Sequence, residues 1–188
     1  MRKLSWNEIR RPSAESLATA PRHPIRVVAH NIRSIHNVGA FFRISDAARI
    51  DHLYLTGYTG TPEHPDLQKT ALGAQDTVPW SHRDDVHALL DAREAAGETI
   101  AVLEITDTPT PPSDVTAADF PLCLVLGNEV HGVDDAIIDR ADLALELPQY
   151  GAKLSLNVSV AYGIAVYDLV RRARALFGVP DAADVPTP

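Results

Sequence analysis

The first segment that could carry chemistry is NIRSIHNVGAFFR, residues 31–43, which contains the polar residues Asn37 and Arg43. Arg43 lies about two turns into a predicted helix, beside the apolar Phe41 and Phe42. An arginine at the margin of such a face usually binds an anion or a carboxylate, so Arg43 is a candidate for contact with a charged substrate group. Asn37 stands where the N-cap of that helix is expected, and the sequence leaves open whether it caps the helix or serves a ligand.

The second segment is LVLGNEVHGVDD, residues 124–135, which follows the most apolar predicted strand. Gly127 ends that strand, and its lack of a side chain allows the backbone to approach a ligand closely. Glu129 is expected to project from the turn, and Gly132 to let the chain reverse. An ordinary turn explains this segment equally well when it is considered alone.

The third segment is LPQYGAKLSLNVSVAYG, residues 147–163. Pro148 is expected to end a strand, and Ser155 and Asn157 stand at the start of a long predicted helix. The free N–H groups of a helix N-terminus suit a carboxylate or a phosphate. Taken singly, however, Ser155 is also explained as a helix cap.

Several common sites are not supported by the sequence. No G-x-G-x-x-G follows the first strand and no P-loop motif is present, which argues against dinucleotide and P-loop nucleotide binding. No G-x-S-x-G elbow offers a hydrolase nucleophile. The eight histidines show no spacing typical of metal ligands, so we predict no metal site and interpret His36 and His131 as surface or loop residues.

The elements that must position the three segments are short apolar strands that alternate with helices. Strands are predicted at residues 25–29, 52–55, 77–80, 99–104, 122–126 and 143–147, and helices from residue 37 and over 84–96, 134–140 and 156–177. This alternation predicts an α/β fold with a mostly parallel sheet flanked by helices. Ligands of such folds bind at the carboxyl ends of strands, which is where the three polar segments begin.

The composition fits a single intracellular domain of 188 residues. The one cysteine, Cys123, excludes an intramolecular disulfide framework, and no apolar run approaches the length of a membrane span. We therefore expect a cytoplasmic protein with no membrane contact, divided into a basic arm over residues 1–24, a folded domain over 25–177 and a disordered tail over 178–188.

The charge is distributed unevenly along the chain. The net charge is −8, because 17 Lys and Arg face 25 Asp and Glu. Residues 1–49 hold nine basic and three acidic side chains, a net of +6, whereas residues 84–142 hold two basic and fourteen acidic ones, a net of −12. One basic face for an anionic partner explains this asymmetry, and so does a solvated acidic surface with a basic terminus.

Taken together and in this order, the three segments resemble the three motifs of the SpoU/TrmH family of RNA ribose 2′-O-methyltransferases, which belong to the SPOUT, or α/β-knot, superfamily. The resemblance spans about residues 25–175. It implies a parallel sheet with a deep C-terminal trefoil knot, an exception to the rule that chains avoid knots. It also implies a homodimer, with S-adenosyl-L-methionine bound in the knot.

The resemblance also assigns site residues in this sequence. The catalytic residues would be Asn37, Arg43, Glu129, Ser155 and Asn157. The cofactor site would be lined by Leu103, Glu104, Leu126, Gly127, Leu147, Ser155 and Leu156. Two departures from the family are noted: Gln149 stands where Met is frequent, and we expect no additional RNA-binding domain before the first motif. The basic arm and the domain itself would therefore have to bind the RNA.

The implied reaction is methyl transfer to the ribose 2′-hydroxyl of a nucleotide in structured RNA, with tRNA favoured over rRNA. A guanidinium group deprotonates only above about pH 12, so we expect Arg43 to hold a phosphate and not to act as the base. Asn37 and Ser155 are expected to orient the ribose, with Glu129 fixing that arrangement. Asn157, one turn into the helix, is expected to stabilise the adjoining loop.

Two other functions remain open from the sequence: a non-catalytic RNA-binding dimer, and methylation of a protein or a small molecule. The homodimer is expected to form through the final helix, whose apolar residues cover more than one face. These residues are Val158, Ala161, Tyr162, Ile164, Ala165 and Leu169.

Overall fold

The computed structural model describes residues 1–9, Leu17 and residues 20–178. Arg10 and Arg11 of the predicted arm, and the predicted tail from residue 179 onward, lie outside the described residues. In chain order the strands and helices are β1 (His23–His30), α1 (Ile35–Ala48), β2 (Ile50–Thr56), α2 (Pro65–Ala71), β3 (Trp80–Arg83), α3 (Val86–Ala95), β4 (Thr99–Leu103), β5 (Leu122–Leu126), α4 (Asp135–Ile138), β6 (Leu143–Leu145) and α5 (Val158–Phe177).

The six strands form one sheet in the order β3-β2-β1-β5-β4-β6, and each of the five pairings is parallel. Both faces of the central strands are buried. On one face Val27 of β1 and Leu124 of β5 pack beneath α1, α2 and α5. On the other, Val28 and Val125 pack beneath α3 and α4. Burial on both faces explains why these strands are nearly continuous apolar runs. The predicted α/β class is confirmed.

Most differences from the prediction lie at the ends of elements. Strand β5 has the predicted bounds, whereas β3 starts at Trp80, where the predicted strand ended. Helix α2 was not predicted, because its seven residues bury only Leu67 and Ala71, which is too little for a recognisable helical period. Helix α5 begins at Val158 instead of Leu156. In the described chain, no helix is both long and apolar enough to cross a membrane.

The final helix buries much of its apolar surface within its own chain. Tyr162, Ala165 and Leu169, which the sequence assigned to a dimer interface, are fully buried in this chain. Ile164 is 44% exposed, so only part of the predicted interface stripe is free.

Helices α1 and α5 are joined by a buried polar contact. The hydroxyl groups of Ser45 and Tyr162 are hydrogen-bonded at 2.8 Å, and both residues are fully buried. The Tyr162 ring also meets Phe41 edge to face, with centroids 5.5 Å apart. Burial raises the pKa of the Tyr162 hydroxyl, which stays neutral. This contact fixes α5, and therefore the start of α5, relative to α1.

Replacing Tyr162 by Phe should lower the free energy of unfolding by about 1–3 kcal/mol, because the Ser45 hydroxyl would remain buried without a partner. Adding Ser45→Ala should recover part of that loss, since neither hydroxyl is then left unpaired. Urea unfolding of both single variants and the double variant measures the coupling. Losses that simply add in the double variant would show that the two hydroxyls do not depend on each other.

Candidate active site

A cleft of about 630 Å³ lies at the carboxyl ends of β4, β5 and β6. Its walls come from the loops that follow these three strands and from the first turn of α5. The residues lining it include Leu103, Glu104, Gly127, Asn128, Glu129, Val133, Glu146, Leu147, Leu154, Ser155, Leu156 and Asn157. The position agrees with the rule that open parallel sheets bind ligands at the carboxyl ends of their strands.

The Glu129 carboxylate joins the second segment to the first. It accepts hydrogen bonds from the backbone N–H groups of Arg33 (2.8 Å) and Ser34 (2.9 Å) and from the side-chain amide of Asn37 (2.8 Å). Burial alone would raise the pKa of Glu129, but these three donors outweigh it and hold the pKa below its usual value. The carboxylate is therefore ionised at neutral pH, with both oxygens engaged.

Asn37 extends this connection to the third segment. Its side-chain carbonyl accepts a hydrogen bond from the Asn157 amide at 3.2 Å, and the residue is only 9% exposed. The structure thus brings Glu129, Asn37 and Asn157 together as a hydrogen-bonded chain, which we call the motif bridge. Because both ends of the Asn37 amide are engaged, Asn37 is better placed to position its neighbours than to touch a ligand.

Two helix positions expected from the sequence are wrong: that of Asn37 as an N-cap, and that of Asn157 one turn into its helix. The N-cap of α1 is Ser34, whose hydroxyl accepts from the Asn37 backbone N–H, so Asn37 lies in the first turn. Asn157 is not one turn into α5 but is its N-cap, accepting from the N–H groups of Ser159 and Val160. The Asn157 side chain therefore both starts the helix and completes the motif bridge.

Gly127 serves the packing of its own loop. A Cβ at this position would lie 2.2 Å from the carbonyl carbon of Gly132 and 2.3 Å from the Val133 nitrogen. We expected the missing side chain of Gly127 to leave room for a ligand. This is wrong, because the backbone of Gly132 and Val133 occupies that space. Gly132 has φ +72°, which confirms that the chain reverses there.

Glu104 secures the same loop from the end of β4. One of its oxygens accepts from the Val133 N–H at 3.0 Å and the other from the Ile105 N–H at 2.9 Å. A side chain at Gly132 would collide with this carboxylate. Glu104, predicted as a cofactor-binding residue, lines the cleft and also holds the reversal in place, a role that the sequence did not indicate.

Asn128 was not predicted as a functional residue, although it stands inside the G-N-E motif. Its side-chain carbonyl accepts from the N–H groups of Val130 and His131, and its amide donates to the Asn31 carbonyl and the Tyr58 hydroxyl. Asparagine followed by a reversing glycine is the available signal, because asparagine side chains commonly bond to the backbone of their own turn.

The remaining predicted cofactor residues divide into two groups. Leu147, Ser155 and Leu156 line the cleft with Leu103. Ser155 is exposed, and its hydroxyl has no hydrogen bond to any described residue, so it is free to serve a ligand. Leu126 is fully buried in β5 and does not line the cleft.

Arg43 lies apart from the motif bridge. It is exposed in a second groove of about 600 Å³, which His36, Lys69, Leu72 and Tyr167 also line. The Lys69 ammonium group pairs with Asp66 at 2.8 Å. His36 and Arg43 of the first segment line this groove together with Lys69, and we call it the basic groove.

The cleft and the basic groove carry opposite charges. Four carboxylate residues line the cleft, Glu104, Glu129, Asp135 and Glu146, and no Lys or Arg is among its described lining residues. Within the described part of the chain, no cluster of three or more His, Cys, Asp or Glu side chains could hold a metal ion. The cleft is thus suited to a ligand that carries positive charge.

Replacing Glu129 by Gln should lower the free energy of unfolding by about 1–3 kcal/mol at pH 7, because charge-assisted bonds to three donors are weakened. The folded-state pKa is below the usual 4.5, so the ionised carboxylate stabilises the fold above pH 4.5, and this contribution is lost as the pH falls through the folded value. The difference between the variant and the wild type, measured by urea unfolding, should therefore narrow below pH 4.5.

Glu146→Gln is the matched control for this measurement, because Glu146 lines the same cleft but its carboxylate has no partner among the described residues. Glu146→Gln should change the free energy of unfolding by no more than about 0.5 kcal/mol. Equal effects of the two substitutions, or a Glu129 effect that is constant with pH, would contradict the structural role of the Glu129 charge.

Comparison with known proteins shows which family the chain resembles. Residues 24–167 match the model of the SpoU rRNA Methylase family. The tRNA (guanosine(18)-2′-O)-methyltransferase of Aquifex aeolicus is 32% identical over 78% of this chain and 68% of its own length. The 23S rRNA (guanosine(2553)-2′-O)-methyltransferase RlmP of Bacillus subtilis is 31% identical over 82% of this chain and 60% of its own length.

Solved structures share the fold. The A. aeolicus TrmH/SpoU tRNA modifying enzyme superposes with a TM-score of 0.77 and 28% identity, covering 86% of this chain and 81% of its own. The AdoMet-bound rRNA methyltransferase of Sinorhizobium meliloti superposes with a TM-score of 0.73 and 22% identity, covering 85% of this chain and 59% of its own. The chain spans about three fifths of the length of the first curated relatives that it matches. With a family model covering most of its length, this chain belongs to the SpoU rRNA methylase family.

Proposed function

We propose that this protein transfers a methyl group from S-adenosyl-L-methionine to the ribose 2′-hydroxyl of a nucleotide in structured RNA. The motif bridge is the observation that carries the proposal, because Glu129, Asn37 and Asn157 join all three motifs beside one cleft. The two relatives named above are RNA 2′-O-methyltransferases, which supports the same reaction here.

The cleft fits S-adenosyl-L-methionine in size and in charge. Its volume of about 630 Å³ lies within the roughly 300–1,000 Å³ typical of small-molecule sites. The apolar side chains of Leu103, Leu147, Leu154 and Leu156 suit a flat aromatic base, and the unpaired Glu146 suits a cationic group. When bound, the cofactor supplies the electrophilic methyl group of its sulfonium.

The protein residues then have distinct roles in the proposal. Ser155, whose hydroxyl is exposed at the cleft, orients the ribose. Asn37, which was expected to share that task, acts instead as a positioning residue through the motif bridge. Glu129 holds Asn37, and Asn157 ties the start of α5 to both.

Arg43 is proposed to hold an RNA phosphate in the basic groove, together with Lys69 and His36. A guanidinium group keeps its proton at any physiological pH, so Arg43 does not accept the hydroxyl proton. Glu129 is also a poor acceptor, because three donors already occupy its oxygens. The proton therefore leaves through water or a bound phosphate.

Among structured RNAs we propose tRNA as the substrate over rRNA. The A. aeolicus relative, which is 32% identical, is a tRNA methyltransferase and supports this choice. The RlmP relative, which is 31% identical, is a 23S rRNA methyltransferase, so the assay below compares both RNAs. The proposal places the protein in the cytoplasm, where its buried thiol Cys123 is stable and RNA is available. The basic arm contributes phosphate contacts outside the cleft.

We also propose that the C-terminal segment forms the deep trefoil knot that the family resemblance implies. Strand β6 lies at the sheet edge beside β4, yet the chain then crosses the cleft and α5 returns to pack on α1 and β1. Helix α5 also contacts the turns Pro112–Asp114 and Ala117–Asp119 that precede β5. This return path past an earlier loop supports the proposed knot.

Transfer of labelled methyl groups to separated tRNA and rRNA, followed by mass spectrometry of the nucleosides, tests the proposed function. Product should be one 2′-O-methylated nucleoside in tRNA. Arg43→Ala should lower kcat/KM by about 100-fold or more while cofactor affinity stays unchanged, because Arg43 lies outside the cleft. Arg43→Lys should remain strongly impaired, since lysine loses the two-pronged geometry.

Arg140→Ala is the control, because Arg140 pairs with Asp91 and Glu94 on the α3 side of the molecule and should not affect transfer. Near-normal turnover by the Lys variant would show that Arg43 supplies only charge. RNA binding without any transfer would point to a non-catalytic RNA-binding protein, and methylation of protein or small molecules alone would exclude RNA as the substrate.

We propose that two copies of the chain associate through α5 and the apolar rim of the basic groove, so that Arg43 remains open to RNA. Val160, Ile164 and Tyr167 form one stripe along α5, and they are 50%, 44% and 46% exposed. Leu72, 69% exposed, lines the basic groove with Tyr167 and extends this apolar surface. A stripe on one helix can pair with the same stripe of a second copy, the symmetry most frequent among homodimers.

Sedimentation velocity at micromolar concentration should show a dimer for the wild type and a monomer for Ile164→Glu, because a charge would be buried unpaired in the interface. Leu176→Glu is the control, since Leu176 is exposed on the same helix but points away from the stripe. A monomeric wild type would contradict this interface.

A further inference from the structure

Tyr58 is an exposed aromatic residue that is nevertheless held in place beside the cleft. Its ring lies just past the end of β2 and is 61% exposed. Its hydroxyl accepts a hydrogen bond from the Asn128 amide at 2.7 Å, and its backbone N–H donates to the Asn31 side chain at 3.3 Å. Asn128 lines the cleft and directly precedes Glu129 of the motif bridge.

The loop that carries Tyr58 is fixed at both of its flanking residues. Gly57 has φ +62°, and a Cβ there would lie 2.0 Å from the side-chain oxygen of Asn31. Thr59 is buried; its hydroxyl accepts from the Ile32 N–H and donates to the Ala29 carbonyl. The exposed ring is therefore presented on a rigid support, and little conformational entropy is lost when a ligand covers it.

The sheet order places Tyr58 between two exposed arginines. Strands β3, β2 and β1 are neighbours, and the chain following them carries Arg83 at the end of β3, Tyr58 after β2 and Arg33 after β1. Asp84 also lies at this edge, where it pairs with His82 at 3.4 Å, and the His82 ring donates to the Gly57 carbonyl. An aromatic ring flanked by cations suits a nucleobase whose neighbouring phosphates contact the cations.

Other exposed tyrosines lack this support. The Tyr150 ring is 94% exposed and the Tyr167 ring lies on the exposed stripe of α5, and neither hydroxyl bonds to a described residue. An exposed ring whose hydroxyl is anchored to a cleft residue is suited to define where a flat ligand sits relative to the cleft.

We propose that Tyr58 stacks on an unpaired nucleobase next to the nucleotide that enters the cleft. This inference rests on the proposed function in taking RNA as the partner. Recognition of single-stranded RNA relies on bases stacked against aromatic side chains, and such stacking tolerates different bases. Tyr58 then selects an unpaired segment over a helical one, because a paired base has no free face to offer.

Fluorescence anisotropy with two probes tests this role: a twelve-nucleotide oligo(A), and an abasic ribose-phosphate oligomer of the same length and charge. Tyr58→Leu should weaken binding of oligo(A) roughly tenfold and leave binding of the abasic probe unchanged. Tyr58→Phe keeps the ring and loses only the hydroxyl bond, so it should retain most of the affinity for oligo(A). Tyr150→Leu is the matched control and should bind both probes as the wild type does.

Three outcomes would overturn the inference: unchanged oligo(A) binding by Tyr58→Leu, an equal loss on both probes, or a Phe variant as impaired as the Leu variant. The last would show that only the hydroxyl bond to Asn128 matters. Urea midpoints of the variants identify any loss of fold, and Tyr58→Phe provides the decisive comparison if Tyr58→Leu is destabilised.

The methyl-transfer assay separates this inference from the proposed function. Normal kcat and KM for tRNA in Tyr58→Leu would overturn the stacking role and leave the methyltransferase intact. Base-dependent binding that needs Tyr58, in a protein that transfers no methyl group, would support the stacking role and overturn the proposed function.

Discussion

The geometry of the site depends above all on the Glu129 carboxylate. It accepts hydrogen bonds from Arg33, Ser34 and Asn37, which lie 92 to 96 positions earlier in the chain. Hydrogen bonds to an ionised acceptor are shorter and stronger than neutral ones, and a carboxylate can accept several at once. No neutral residue of similar size could hold the start of α1 in this way. The first and second motifs therefore meet through one charged group.

Much of the architecture could be predicted from the sequence, because apolar strands buried on both faces have a recognisable composition. The alternation of strands and helices indicated a parallel sheet, and β5 was placed correctly from the run LCLVL. Helix α2 was missed because it buries too few side chains to show a period. The starts of the helices were predicted less accurately than the strands, because several neighbouring residues can cap a helix. These residues are Ser34, Asn37, Ser155 and Asn157. Which of them caps depends on tertiary contacts.

The site could be predicted only in part. Open parallel sheets bind ligands at the carboxyl ends of their strands, and this rule predicted that the three motifs lie at one edge of the sheet. The separation of Arg43 from the motif bridge follows from helical geometry, because about 100° per residue over six residues turns Arg43 to a different side of α1 from Asn37. The contact of Gly127 with Gly132 could not be anticipated, since it depends on the path of the loop between them. Sequence spacing identifies candidate residues, and the fold decides which of them touch.

The distances along the chain between the bridged residues have a consequence for folding kinetics. Asn157 lies 120 positions beyond Asn37, and Glu129 lies 92 beyond it. Contacts of such large sequence separation close only after the intervening chain has collapsed, because loop-closure entropy opposes them earlier. Strand β1 already pairs with β5 between Ile25 and Leu122, so this pairing closes most of the loop that the Glu129 contact requires. Asn157 follows all six strands along the chain, so a chain still emerging from the ribosome can hold a nearly complete sheet before Asn157 is available to complete the motif bridge.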